Sequence, residues 1–171
     1  MDSGNNYHSH EGELMENENG IIGIMPYLKR SRMMGLLSDS FTLVATRDES
    51  IFAKVTNDML KQVVMEARNE AKAEGKGFFA QWGSQMGASF NYAERYLSMS
   101  PDSIRSEHVD NFIIRNAGII SLKAKEKNRF DDERTSPDWE ITINTSMGKL
   151  KFKANYDPRK GLKQIYDGKV Q

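Results

Sequence analysis

Two hydrophobic periods alternate along the chain. Phe41 to Arg47 (FTLVATR) and Ile51 to Thr56 (IFAKVT) are short runs rich in Val, Ile, Thr and Phe, parted by Asp48, Glu49 and Ser50. That pattern predicts two strands joined by a tight turn. Upstream, Gly20 to Leu28 (GIIGIMPYL) predicts a first strand, which Gly23 and Pro26 make bent or place at an edge; KRSRMMGLLSDS then reads as a connection. The period changes after Thr56 and Asn57, either of which can cap a helix. Leu60, Val63, Val64, Ala67 and Ala71 follow helical spacing until Gly75 and Gly77 break it.

A second helix is predicted from Phe79, Trp82, Met86, Phe90, Ala93 and Leu97, which recur every three or four residues and form one apolar stripe. Gly83 and Gly87 lie beside the stripe, where they would let another backbone come close. Ser100 and Pro101 open one more short turn, Asp102 to His108.

Beyond it the period returns to two. Asn111 to Asn116 and Gly118 to Lys125 read as strands, the second with Ile120, Leu122 and Ala124 on one face and Ser121, Lys123 and Lys125 on the other. After the charged stretch NRFDDERTSPD, Trp139, Ile141 and Ile143 alternate with polar residues. SMG then turns the chain into Leu150, Phe152, Ala154 and Tyr156, with Lys151 and Lys153 facing outward. Asp157 and Pro158 signal the start of a last helix, whose Leu162, Ile165 and Tyr166 need a sheet to cover.

The order of strands, helical block, strands and closing helix lacks βαβ repetition and predicts an α+β fold: one domain over 20–171, preceded by a flexible acidic tail over 1–19. The run FTLVATRDESIFAKVTNDM, followed by GKGFFAQWGSQM, NFIIRNAGIISLKAKEK and WEITINTSMGKLKFKANYD, resembles the prokaryotic pleckstrin-homology-like proteins, including the bacterial PH and GRAM-like groups. The resemblance implies a bent antiparallel barrel of about seven strands, plugged by a C-terminal capping helix and interrupted by a helical insertion at 57–108. It also implies binding of lipid headgroups, peptides or proteins. In that family anionic headgroups are met by basic residues near the loop after the first strand, where Lys29, Arg30 and Arg32 fall; Thr42 and Val44 stand where a further base would help.

Composition narrows the classes. The chain of 171 residues balances 24 basic against 24 acidic side chains, so no strong overall field selects a partner. It has no cysteine, which excludes disulfides, a thiol nucleophile and cysteine-held clusters. Without a long apolar run or a leader-like start, the expected location is cytoplasmic.

Candidate chemistry is sparse. His8 and His10 sit in the acidic tail without a third ligand; His108 lies in a polar turn; Asp131, Asp132, Glu133 and Asp138 lack the spacing of a calcium loop. GKGFFAQWG follows a helix rather than a strand and lacks the Lys-Ser/Thr of a phosphate loop. No catalytic residue, metal ligand or cofactor is therefore assigned. Two binding surfaces stand out instead. Phe78, Phe79, Trp82, Gly83, Met86, Gly87 and Phe90 form a candidate surface for a protein partner or a second copy. The alternative is peripheral binding of anionic lipid through a basic loop at 29–32, with Lys29, Arg30 and Arg32 joined by Lys123, Lys125, Lys151 and Lys153. Nucleic acid is disfavoured because no aromatic residue interleaves with the lysines. A non-enzymatic binding or scaffold module is the leading expectation, and a small enzyme the third.

Overall fold

The computed structural model describes residues 16–32, 37–59, 92–127 and 138–171. Seven strands form one antiparallel sheet: β1 (Ile21–Arg32), β2 (Leu37–Thr46), β3 (Glu49–Val55), β4 (Phe112–Arg115), β5 (Ile119–Lys127), β6 (Asp138–Thr145) and β7 (Gly148–Ala154). Among the described residues lie the short helices α1 (Pro101–Ser106) and α2 (Arg159–Ile165). The strand order is β4-β3-β2-β1-β7-β6-β5.

This order overturns the expected barrel and, with it, the resemblance to the pleckstrin-homology-like proteins. Closure would require β4 and β5, the two edge strands, to pair. Instead they are joined by the single 3-10 turn Asn116–Gly118, and the outer edge of β5 is taken by the C-terminus. The Leu122 amide donates to the Lys169 carbonyl at 2.8 Å, and the Gln171 amide donates to the Leu122 carbonyl at 2.8 Å. A strand edge offers each backbone group once. With those of Leu122 spent on the tail, the sheet stays open.

β1 is central, not an edge. It pairs with β2 over most of its length and meets β7 at Lys29↔Lys153. The register breaks between Met25 and Leu28, so Pro26, which has no amide hydrogen, falls in an irregularity rather than in the ladder. Tyr27, in the same break, takes φ 55°, and the Tyr156 hydroxyl donates to the Pro26 carbonyl at 2.7 Å. Lys29, Arg30 and Arg32 therefore do not form a loop: β1 runs through them.

The strands bury two cores. On the inner face, Ile22, Met25, Leu28, Phe41, Leu43 and Phe52 pack with Leu122, Trp139, Ile141, Ile143, Phe152 and the α2 residues Leu162, Ile165 and Tyr166. Its centre is a run of aromatic rings contributed wholly by strands. Phe52 stacks on Phe112 at 4.7 Å and on Phe152 at 5.0 Å, while Phe41 meets Phe112 edge-on at 5.3 Å. On the opposite face of β1–β2–β3, Ile21, Ile24, Val44, Ile51, Ala53 and Val55 pack against Tyr92, Ala93, Tyr96 and Ile104, residues that lie between β3 and β4 in the chain.

Two local features fix this arrangement. Gly23 lets α2 lie on β1, because a Cβ there would overlap the Ile165 side chain. Ser100 starts α1 by accepting from the Ser103 amide at 3.2 Å, with Pro101 in the first turn. At the start of α2, by contrast, no side chain caps at Pro158; Asp157 instead accepts from the Arg159 amide and holds its guanidinium.

Candidate functional site

The pleat of the sheet divides the basic residues singled out in the sequence. In β6 the inward residues are Trp139, Ile141 and Ile143, so Glu140, Thr142 and Asn144 point outward. Cross-strand register carries that outward face sideways. Lys123 and Lys151 both stand opposite Thr142; Lys125 and Lys153 both stand opposite Glu140; and Lys153 stands opposite Lys29 of β1. The expected cluster of Lys123, Lys125, Lys151 and Lys153 is thus one surface, and Lys29 extends it onto a fourth strand.

All five lysines are exposed. Glu140, at the centre, sits 3.7 Å from Lys151 and 3.7 Å from Lys127. Among the described residues, Lys29, Lys123, Lys125 and Lys153 have no ion pair. Like charges directly opposite each other weaken strand pairing, so the Lys29–Lys153 contact favours an external anion.

Arg30 goes elsewhere. It points to the inner side, its guanidinium 5.5 Å from the Phe112 ring centre, and lines a cavity of about 470 Å³. Arg32 is tied across the β1–β2 hairpin to Asp39, which also holds Lys54. The three neighbours Lys29, Arg30 and Arg32 consequently serve three different places.

The cavity lies between β4 and the β6–β7 hairpin. All four residues of β4 line one wall, and Thr145 to Leu150 line the other, with Arg30 and Gly118 completing it. Phe112, Ile114 and Leu150 give it an apolar floor that continues into the inner core. Sequence reasoning missed this site. Its walls lie some 30 positions apart in the chain, and neither carries a local motif.

A buried polar cluster closes the same end of the sheet. Ser50 is fully buried and meets the Tyr166 hydroxyl at 2.5 Å and Asn116 Oδ1 at 2.7 Å. Asn116 Nδ2 donates to the Thr46 and Arg47 carbonyls, and Lys169 Nζ donates to the Asn116 and Ile119 carbonyls at 2.6 and 2.9 Å. Burial drives the Tyr166 hydroxyl above the ordinary tyrosine range, so it stays neutral and acts as a hydrogen-bonding latch. Tyr96 is raised for the same primary reason. It donates to Glu107, which also pairs with Arg95 and so ties the outer core to the end of α1.

The remaining expectations fall as follows. His108 accepts from the Asp110 amide through Nδ1 at 3.0 Å, an interaction within its own turn. Among the described residues no group of His, Asp and Glu is arranged to hold a metal ion, and no helix is long and apolar enough to cross a membrane. Phe78, Phe79, Trp82, Gly83, Met86, Gly87 and Phe90 lie outside the described residues, as do His8, His10, Asp131, Asp132 and Glu133. The register of Ile120 differs from the sequence expectation. An irregularity between Ile119 and Ser121 leaves Ile120 66% exposed, while Ser121, opposite Asn144 and accepting from its Nδ2 at 2.8 Å, stays on the face that carries Lys123, so the strict alternation begins only at Ser121.

Compared with family models, curated proteins and solved structures, the chain finds no match.

Proposed function

We propose that the chain is a binding module that attaches peripherally to an anionic lipid surface through the outer face of β5, β6, β7 and β1. The observation that carries this reading is the register that puts Lys29, Lys123, Lys125, Lys151 and Lys153 on one open face, with Glu140 among them and Asp138 at its border opposite Lys127. Near an anionic bilayer each such lysine contributes about 1 kcal/mol, so the five together give binding of useful strength that salt weakens.

A second contact comes from apolar side chains at one end of the same strands. Met147, in the β6–β7 turn, is 98% exposed, and Ile120, at the same end of the sheet because its neighbour Ile119 pairs with Thr145, is exposed as well. Peripheral attachment generally needs two weak signals, and charge with a small apolar insertion supplies them. The face carries lysine and no arginine or aromatic residue, which suits attraction to a charged surface better than stacking or forked recognition of bases.

Flotation with vesicles tests the reading. The intact protein is expected to float with phosphatidylserine-containing vesicles at low salt, to be released at 0.5 M salt, and to ignore neutral phosphatidylcholine vesicles. The Lys123→Glu, Lys151→Glu double variant is expected to remain in solution. Absence of binding by the intact protein, or undiminished binding by the variant, would contradict it, as would retention of a nucleic-acid duplex in preference to vesicles.

A further inference from the structure

The cavity beside β4 lies on the other side of the sheet from the lysine face and has a different chemistry. From its geometry we infer that it is a docking slot for an extended acidic peptide segment of a partner protein, which adds as an eighth strand to the edge of β4 that no described strand pairs with.

β4 pairs with β3 through Phe112↔Phe52, Ile113↔Ile51, Ile114↔Ser50 and Arg115↔Glu49, and no strand among the described residues pairs with its other edge. An unpaired edge presents backbone donors and acceptors that a passing extended chain can satisfy. All four β4 residues line the cavity, so one wall of the slot is this edge itself. At about 3.3 Å per residue, four residues offer roughly 13 Å of edge, enough for a segment of about four residues.

Charge specifies the occupant. Arg30 lines the slot from the inner side, while Arg115 and Lys149 border it from the outward face, opposite Glu49 and Asn144; none of the three has an ion pair among the described residues. Among the described residues no acidic side chain lines it. Arginine forks bind carboxylates in pairs of parallel hydrogen bonds, and a low-polarity floor strengthens them. The floor of Phe112, Ile114 and Leu150 asks for apolar side chains on the segment. Because side chains of an extended segment alternate between two sides, the fitting sequence alternates acidic and apolar residues. The outer edge of β5 is already bonded to the C-terminal residues at Leu122, whereas no described strand pairs with the outer edge of β4.

A blocked hexapeptide of alternating valine and glutamate is a suitable probe, with valine–lysine and backbone N-methylated valine–glutamate versions as controls. On the full chain, NMR titration is expected to shift the amides of Ile113 to Arg115 and Thr145 to Lys149, and hydrogen exchange of β4 is expected to slow when the peptide is bound. Arg30→Ala and Arg115→Ala each weaken binding about tenfold. The Lys123→Glu, Lys151→Glu variant, altered on the opposite face, retains it, so failure here is separable from failure of vesicle attachment. Equal binding of the valine–lysine or N-methylated peptide, shifts centred on Lys123 and Lys125, or no binding by either the intact chain or the Lys123→Glu, Lys151→Glu variant would overturn the proposal.

Discussion

The outer face of the sheet is built in two contrasting halves. Over β1, β2 and β3 it is apolar and covered: Ile21, Ile24, Val44, Ile51 and Ala53 are essentially inaccessible beneath Tyr92, Tyr96 and Ile104. Over β5, β6 and β7 it is polar and bare, with Lys123, Lys125, Lys151 and Lys153 around Glu140 and Thr142. Both halves share one inner core, so the inner face is not where they differ. What lies outside the sheet decides whether a strand reads as a continuous apolar run or as an alternating one. The covered half spends its outer surface on stability. The bare half leaves its outer surface available for contact.

The largest effect is expected where the covering is removed. Tyr96→Ala would empty a fully buried site in the outer core and leave Glu107 without its hydroxyl partner, lowering stability by about 3 to 5 kcal/mol in denaturant titration. The counterpart on the bare half, Lys123→Ala with Lys151→Ala, is expected to move stability by less than about 0.5 kcal/mol, because both side chains are exposed and neither anchors the fold. Similar losses from the two changes would erase the distinction between the halves.

This contrast was written in the sequence. IFAKV in β3 and FTLVA in β2 are nearly unbroken apolar runs, whereas LKAK, WEITI and LKFKA alternate strictly. The lysine face could therefore be named from sequence, and the strands of its hairpin fall where the pattern places them. Three things were not legible. The continuation of β1 through Lys29, Arg30 and Arg32 was hidden by polar residues that happen to pair with β2. The openness of the sheet depends on Leu122 bonding to Lys169 and Gln171, a choice between two distant partners that no local pattern records. The slot depends in turn on that openness and on which strands become neighbours.

Next in size is the joint between α2 and β1. Gly23→Ala forces a Cβ into Ile165 and is expected to cost about 1 to 3 kcal/mol, measured as a lowered unfolding midpoint. Because Ile165 belongs to the inner core that both halves share, unfolding should remain a single transition. Two separated transitions would show that the halves are held together less tightly than the common core implies.

A smaller effect is expected in acid. Arg159, through its side-chain hydrogen bonds, holds the Asp157 carboxyl below the ordinary carboxylate range. A carboxylate depressed in the folded state contributes stability above its unfolded value near pH 4 and loses that contribution as pH falls through its folded value. The pair is largely exposed, so solvent screening leaves the contribution small. Asp157→Asn should therefore slightly flatten the loss of stability below about pH 4 and leave neutral stability nearly unchanged. A large change at pH 7 would mean that the turn before α2 carries more of the fold than its exposure suggests.

The division of the outer face is tested most directly by thiol accessibility, for which a chain without cysteine is well suited. Cysteine introduced singly at Ala53, beneath the covering, and at Thr142, in the middle of the lysine face, would be labelled with a small thiol reagent under native conditions. Thr142→Cys is expected to react at nearly the rate of a free thiol, and Ala53→Cys about a hundredfold or more slowly, rising only when denaturant opens the fold. Comparable rates at the two positions in the native protein would contradict the division into a covered and an open half.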